Sequence, residues 1–292
     1  MNNNAVLKYL FVVNPVSGNN NTNFRAEIEE YFTSLPGDPR FFELPASGAP
    51  QKLKEKINQE KPDKLIAVGG DGTVKLVAEA VWQTNIPIGI LPAGSANGMA
   101  KELGISTELK TALDIIFNGR IKKIHAIKIN NELCIHLSDI GFNAFVIKKF
   151  ESEKTRGMWG YVKAAWKVLW SHSKMQVLIQ TDEEEIRRQA AMVVIANATQ
   201  YGTGVLINPE GKLTDDLFEV VIVRKISLSE IFKMRVTHMP YDPSKTEIIQ
   251  TRDLNIQSRH RVHFQVDGEY LGKINEIKAT ILPNALNVIV PV

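Results

Sequence analysis

Apolar residues in the first third of the chain form short runs that alternate with segments of helical spacing. Continuous apolar runs between turn residues are typical of parallel strands buried on both faces. The strand-like runs cover residues 5–15, 40–44, 63–68 and 86–92. The helical segments cover residues 24–32, 50–59, 73–82, 100–103 and 107–118. This order predicts an α/β domain with a doubly wound parallel sheet.

The pattern changes after residue 119, where short strand-like runs follow one another with only turn residues between them. Such spacing predicts an antiparallel β-sandwich as a second domain. The runs cover residues 121–130, 132–142, 174–182, 188–199, 217–224, 254–258, 261–270 and 274–283. Helical spacing interrupts them at residues 157–170 and 227–236.

The length of the chain fits a division into two domains. A chain of 292 residues is longer than most single domains. Its one cysteine, Cys134, allows no internal disulfide, which favours a reducing compartment. No apolar run approaches the roughly 20 residues that a membrane-spanning helix needs. We therefore expect a cytoplasmic protein.

The net charge of +3 does not by itself predict a partner. Residues 121–175, however, contain ten Lys and Arg against four Asp and Glu. A solvated face explains such an excess in most proteins, whereas phosphate or a membrane surface is the sharper alternative.

Three glycine-containing loops follow predicted parallel strands: "NPVSG" at 14–18, "GGDGT" at 69–73 and "PAGSANG" at 92–98. Carboxyl ends of parallel strands lie at one edge of the sheet, where ligands bind in doubly wound folds. Glycine lets backbone N–H groups approach an oxyanion, and the helix that follows adds its positive end. The three loops together predict a site for a polyphosphate.

Asp71 lies between two glycines of the second loop. An acid beside phosphates is unfavourable unless it binds a cation or accepts a proton, so Mg²⁺ is the predicted companion. The alternative is an aspartate that only shapes the turn through a backbone hydrogen bond.

The three loops resemble the successive nucleotide-site motifs of the diacylglycerol kinase catalytic domain family, which includes bacterial lipid kinases and sphingosine kinases. The resemblance continues through "SDIGFNA", "ESEKTR", "YGTGVLINPEGKLTDDLFEVV", "QVDGEYLG" and "LPNALNVIVP", and covers essentially the whole chain. "GGDGT" alone also occurs in NAD kinases, but the ordered set is specific to lipid kinases.

This resemblance implies a nucleotide domain at 1–122, completed by a C-terminal strand at 284–292, and a lipid-substrate sandwich at 123–283. It implies ATP in the cleft between the domains and Mg²⁺-dependent transfer of the γ-phosphoryl group to the hydroxyl of diacylglycerol or a related lipid. The expected setting is a membrane surface, peripherally bound, with no nucleic acid; a homodimer is compatible.

Position within the motifs also implies residue roles. Nucleotide contacts are expected from Asn14, Ser17, Gly18, Gly69, Gly70, Gly72, Thr73, Gly94, Ser95, Asn97 and Arg156. Catalytic candidates are Asp71, Asp267 and Glu269, and the metal candidates are Asp215 and Asp71. The proton acceptor is either Asp71 or Glu269. Without the resemblance, "VDGEY" is simply a hairpin turn, because Asp-Gly between strand-like runs is a strong turn signal.

Two features bear on the lipid. Sphingosine kinases have acidic residues after "GF", where this chain has Phe145, Lys148 and Lys149, so a neutral or anionic lipid is favoured over an amine. The segment 157–170 carries an apolar stripe that packs on the sandwich, covers an acyl pocket or contacts a membrane.

Two other functions stay open. One is an NAD kinase-like phosphotransferase, and the other is a catalytically silent lipid- or nucleotide-binding module. Asp216 stands where a glycine is usual in the family, which allows the silent module. Retention of Asp71, Asp215, Asp267 and Glu269 favours an enzyme.

Overall fold

The computed structural model describes residues 6–17, 23–142, 144, 174–200, 205–225 and 242–292. Contacts divide the chain into a first unit, Met1–Ile124 with Asn284–Val292, and a second unit, His125–Pro283. The predicted helical segments at 157–170 and 227–236 lie outside the described residues. Within the described residues, no helix is both long enough and apolar enough to cross a bilayer.

The first unit alternates strands and helices, as its hydrophobic pattern predicts. Its elements are β1 (Lys8–Val13), α1 (Phe24–Phe32), β2 (Asp38–Glu43), α2 (Ala49–Glu60), β3 (Lys64–Gly69), α3 (Asp71–Val81), β4 (Ile88–Pro92), α4 (Gly98–Glu102) and α5 (Leu109–Asn118). The strands pair in parallel in the order β2-β1-β3-β4, and Val288 near the C-terminus pairs in parallel with Ile88 of β4.

Alternate residues of the central strands are buried against helices on opposite faces of this sheet. Tyr9 and Phe11 of β1 pack in one cluster with Phe32 of α1 and Ile116 of α5. Leu10, which points the other way, is equally buried. Burial on both faces explains why these strands read as unbroken apolar runs.

The second unit is antiparallel. β5 (Arg120–Ile129) and β14 (Glu269–Val290) carry residues of both units. The other strands are β6 (Glu132–Cys134), β7 (Leu137–Gly141), β8 (Met175–Thr181), β9 (Glu185–Ala190), β10 (Met192–Ala196), β11 (Phe218–Val223), β12 (Thr246–Thr251) and β13 (Asp253–Val266). β12, β11, β10, β7 and β13 pair in that order, and β8 joins β13 to β9.

Strand β10 has a core on each side. Val193 and Ile195 belong to one buried cluster, whereas Met192 and Val194 belong to another. The first cluster also contains Val177 of β8 and Ile256 of β13, so it is the core between the layers of a β-sandwich, and the second cluster covers the other face of β10. The predicted fold class, a parallel α/β domain followed by an antiparallel sandwich, is confirmed.

Several strand boundaries differ from the prediction. The run 132–142 was predicted as one strand but forms β6 and β7, and 188–199 is divided between β9 and β10. The runs 254–258 and 261–270 are instead joined, up to Val266, in β13, which carries irregularities in its pairing with β14. Strand β12 was missed, since "TEIIQT" shows neither alternation nor a long apolar run.

Candidate functional site

The three glycine loops begin where three neighbouring parallel strands end. β1 pairs with β3 up to Val13 and Val68, and β3 pairs with β4 up to Gly69 and Pro92. The loops therefore leave the same edge of the sheet, as the strand order requires.

The first loop is hydrogen-bonded to the second. The Asn14 backbone N–H donates to the Val68 carbonyl at 3.1 Å, and its Nδ2 donates to Thr73 Oγ1 at 3.3 Å. Asn14 Oδ1 accepts from the Val16 N–H at 3.2 Å, and the Ser17 N–H donates to the Asn14 carbonyl at 3.0 Å. Asn14 thus shapes its own turn and fixes it beside the start of α3.

Backbone contact joins the second loop to the third. A Cβ added to Gly94 would lie 2.5 Å from the Gly70 Cα, and one added to Gly70 would lie 3.2 Å from the Gly94 Cα. Real Cβ atoms do not come as close as the first distance, so only glycine at position 94 allows this approach.

The carboxylate of Asp71 makes the second connection between these loops. Its Oδ2 accepts from the Gly98 N–H and its Oδ1 from the Met99 N–H, both at 3.0 Å. Gly98 and Met99 begin α4, whose first N–H groups have no acceptor within the helix. Asp71 therefore caps a helix that begins 27 residues later in the chain.

Asn97 gives the third loop its shape. Its backbone is left-handed, with φ 51°, which asparagine tolerates better than most residues. Its Oδ1 accepts from the Gly94 N–H at 2.9 Å, and its Nδ2 donates to the Gly94 carbonyl at 2.8 Å. Ser95 and Gly72 stay exposed, and a Cβ added to Gly72 would meet no atom within 4 Å.

The arrangement suits a phosphate group. The first N–H groups of α3 have no partner inside the helix, and its positive end opens at Gly70 to Gly72. The structure brings Asn14, Ser17, Thr73, Gly94 and Asp71 of the prediction to this one edge. Gly18 and Arg156 lie outside the described residues.

Asp267 and Glu269 belong to the second unit and occupy a hairpin. Asp267 and Gly268 form the turn between β13 and β14 with φ 51° and 88°, the positive values of a two-residue Asp-Gly turn. The Asp267 carboxylate accepts from three successive backbone N–H groups: Ile135 at 3.0 Å, His136 at 2.9 Å and Leu137 at 3.1 Å. Glu269 follows the turn and is exposed.

Asp215 lies in a turn before β11. Its Oδ1 accepts from the Leu217 N–H at 3.4 Å, and the side chain is half-buried. Carboxylate oxygens are the donors that Mg²⁺ prefers, so Asp215 and Asp71 fit the ion chemically. Among the described residues, no three His, Cys, Asp or Glu side chains group closely enough to hold a metal.

A buried polar cluster near Asp215 was not predicted. Glu219 is 1% exposed, and burial raises its pKa although Asn208 and Gln250 donate to its oxygens at 2.6 and 3.0 Å. Burial lowers the pKa of His125, with Asp215 and Asp216 opposing the shift. Single polar residues within apolar runs gave no signal of this cluster.

Sequence comparison identifies both units. The family model described as "Diacylglycerol kinase catalytic domain" matches residues 8–129, and the one described as "YegS C-terminal NAD kinase beta sandwich-like domain" matches residues 138–290. Together they cover most of the described strands and helices.

Individual relatives agree with the family match. A protein of Staphylococcus epidermidis named diacylglycerol kinase is 27% identical over 229 residues, covering 75% of this chain and 72% of its own length. A protein of Synechocystis sp. named uncharacterized is 27% identical over 253 residues, covering 83% of this chain but only 58% of its own length.

A solved structure shares the fold. The crystal structure of a diacylglycerol kinase from Bacillus anthracis superposes with a TM-score of 0.76 and 17% identity, over 97% of this chain and 96% of that one.

Proposed function

Because the chain belongs to the diacylglycerol kinase catalytic domain family, we propose that it transfers the γ-phosphoryl group of ATP to a lipid hydroxyl. The proposed acceptor is diacylglycerol or a related neutral lipid, the proposed ion is Mg²⁺, and the reaction takes place at a membrane surface, to which the protein binds peripherally. The observation that carries this proposal is the convergence of three glycine loops, held together by Asp71 and by the Gly70–Gly94 contact.

The loops supply phosphate binding. Exposed backbone at Gly72 and Ser95 and the start of α3 would surround the phosphates, while Asn14 and Asn97 hold the loop shapes. Mg²⁺, when bound, neutralises phosphate charge and polarises the group that is transferred. Asp71 and Asp215 are the residues proposed to hold it.

Glu269 is the better proton acceptor of the two carboxylates considered. Each oxygen of Asp71 already accepts a backbone hydrogen bond, which orients the carboxylate toward Gly98 and Met99. Glu269 is the more exposed of the two and begins β14 directly after the turn of Asp267 and Gly268. We therefore propose that Glu269 accepts the proton of the lipid hydroxyl. Asp71 holds the second and third loops together, and its remaining lone pairs are available to the metal.

Glu269→Gln tests this assignment. We expect kcat to fall about 100-fold or more, the range for loss of a general base, with the KM for ATP unchanged. Glu276→Gln is the matched control, because Glu276 is also an exposed glutamate of β14, and it should retain wild-type kcat. Equal kcat in the wild type and Glu269→Gln would exclude Glu269 as the base.

The activity itself is tested with γ-labelled ATP and a panel of acceptors separated by thin-layer chromatography. The panel contains diacylglycerol, ceramide, sphingosine and NAD, with and without Mg²⁺. We expect label in a phosphorylated neutral lipid only when Mg²⁺ is present. Label in NAD alone would favour the NAD kinase-like alternative, and label in no acceptor would favour a binding module.

A further inference from the structure

A second cluster of charge lies in the sandwich, far along the chain from the glycine loops. Two adjoining grooves of about 520 and 630 Å³ share Arg187, Arg188 and Gln189. We call them together the basic groove. Its cationic side chains are Lys174, Arg187, Arg188, Arg224, Lys225, Lys245 and Arg259. No acidic and no aromatic residue is among the described residues that line it.

One carboxylate orders the centre of the basic groove. Glu247 accepts from Arg188 Nε and Nη2 at 2.8 and 2.9 Å and from Arg224 Nη2 at 2.5 Å. Two guanidinium groups thus share one counter-charge and are held in fixed positions. Such pre-ordering lowers the entropy that binding an anion would otherwise cost.

The excess of positive charge is large for this molecule. Seven cations face two carboxylates that pair with them, Glu247 and Asp242, which leaves an excess of five. The whole chain has a net charge of only +3. The rest of the molecule is therefore net negative, and the basic groove is a local excess of positive charge that attracts an anionic surface.

Among the described residues, four of the cations have no carboxylate that pairs with them. They are Lys174, Arg187, Lys225 and Arg259, and all four are exposed. Arg187 stands on the outward face of three paired strands, opposite Leu178 of β8, which in turn pairs with Gln257 of β13. This places Arg187 on the broad face of the sheet, whereas Lys174 directly precedes β8 and Lys225 follows the end of β11.

We infer that the basic groove binds the phosphate-bearing headgroups of anionic lipids in a bilayer. A single phosphate reaches only two or three of these side chains, whereas a bilayer offers many phosphates in one plane. Grooves for single-stranded nucleic acid combine positive charge with aromatic stacking, and aromatic side chains are absent from the described lining. The inference rests on the proposed function, since a kinase that takes lipid from a bilayer must remain at its surface.

The test is sedimentation with lipid vesicles of the full chain and two triple variants. Lys174→Ala with Arg187→Ala and Lys225→Ala removes three groove charges. Lys128→Ala with Lys273→Ala and Lys278→Ala removes the same charge from exposed positions of β5 and β14 in the same unit. Vesicles contain phosphatidylcholine with or without phosphatidylglycerol.

Each cation near an anionic surface contributes about fivefold to binding, so the groove triple should bind phosphatidylglycerol vesicles about 100-fold more weakly than wild type. The control triple should lose much less, and pure phosphatidylcholine should bind none of the three proteins tightly. Equal losses in the two triples, wild-type binding by the groove triple, tight binding of inorganic phosphate by calorimetry, or stronger binding of a single-stranded polynucleotide would each overturn the inference.

A second readout separates this inference from the proposed function. With a short-chain, water-soluble diacylglycerol, the groove triple should phosphorylate at the wild-type rate, because no bilayer is involved. If neither the wild type nor a variant phosphorylates any lipid, but only the groove triple loses vesicle binding, the proposed function is wrong. The inference that the basic groove binds anionic lipid is then still supported. Loss of the soluble activity in the groove triple would instead overturn its assignment to the membrane.

Discussion

At the scale of single residues, Asp71 and Asp267 use their carboxylates in the same way. Each accepts backbone N–H groups of a segment distant in the chain, α4 for Asp71 and residues 135–137 for Asp267. Hydrogen bonds from N–H groups to a carboxylate are stronger than those between neutral groups. Both aspartates therefore fix the conformation of loops that are distant from them in the chain.

Replacing Asp71 with asparagine tests the clamp. The amide keeps the shape, but its NH₂ group would face one backbone N–H, so one hydrogen bond is replaced by a contact between two donors. We expect the free energy of unfolding to fall by about 1–3 kcal/mol. Thermal unfolding measures the stability of the variant, and calorimetry measures its affinity for Mg-ATP. We expect both the stability and the affinity to be lower than in the wild type.

Asp216→Asn is the control for loss of one negative charge. Asp216 is an exposed aspartate with φ 58°, a conformation that asparagine tolerates as well. The free energy of unfolding of the Asp216→Asn protein should stay within about 0.5 kcal/mol of the wild-type value. An Asp71→Asn protein as stable as this control, with unchanged nucleotide affinity, would contradict the clamp.

At the scale of elements, the site depends on how closely three loops approach one another. Gly94 of the third loop allows backbone contact with Gly70 of the second loop. Gly72 lies in the same loop as Gly70 but faces open space. The two glycines thus differ in the reason for which the proposed phosphate site needs glycine. At Gly94 the reason is packing between loops, and at Gly72 it is room for the ligand.

The same substitution at both positions tests this distinction. Gly94→Ala forces the loops apart and should cost about 1–3 kcal/mol of stability, as overpacking does. Gly72→Ala should leave stability unchanged or raise it by up to about 1 kcal/mol, because position 72 lies in the first turn of α3. Both variants should bind Mg-ATP more weakly, the second only because its methyl group occupies space meant for phosphate.

Chemical denaturation gives the free energy of unfolding of each variant, and calorimetry on the same preparations gives its affinity for Mg-ATP. Unchanged nucleotide affinity in Gly72→Ala would show that phosphate does not approach this loop as proposed. Unchanged stability in Gly94→Ala would show that the loops separate easily.

Helices and strands could be predicted from the sequence where the local pattern of apolar residues determines their bounds. They could not be predicted where a residue distant in the chain determines those bounds. Helix α1 begins and ends at the predicted residues, since its apolar spacing is entirely local. The division between β6 and β7 was not predictable, because the N–H groups of Ile135 to Leu137 bond to Asp267, about 130 residues later. The glycine loops were visible in sequence, but the partner of Asp71 was not, since nothing local marks Gly98 as its donor.

At the scale of the whole molecule, stability should depend on pH through buried groups of the sandwich. His125 is 1% exposed, and both ring nitrogens lack partners among the described residues. Burial lowers its pKa from the ordinary 6.5, so the folded state binds this proton less readily than the unfolded state does. The stability from neutral His125 is present above pH 6.5 and is lost as the pH falls toward the lowered pKa.

Urea denaturation at a series of pH values measures this dependence. Wild type should lose stability from about pH 6.5 downward, by up to about 1.4 kcal/mol for each unit by which the pKa is lowered. His125→Gln should flatten this slope whatever its absolute stability, whereas His260→Gln, which replaces an exposed histidine, should keep it. Carboxylates with lowered pKa values, such as Glu247, act in a more acidic range. Equal slopes in all three proteins would contradict the assignment to His125.

The chain belongs to a family of lipid kinases, and we propose that the γ-phosphate passes from ATP to a lipid hydroxyl. Phosphorus NMR of the wild-type protein with Mg-ATP and diacylglycerol in mixed micelles follows this step directly. We predict that a lipid phosphomonoester signal grows in step with ADP as the γ-phosphate signal declines. Release of inorganic phosphate alone, or no change with any lipid while Mg-ATP remains bound, would contradict the claim.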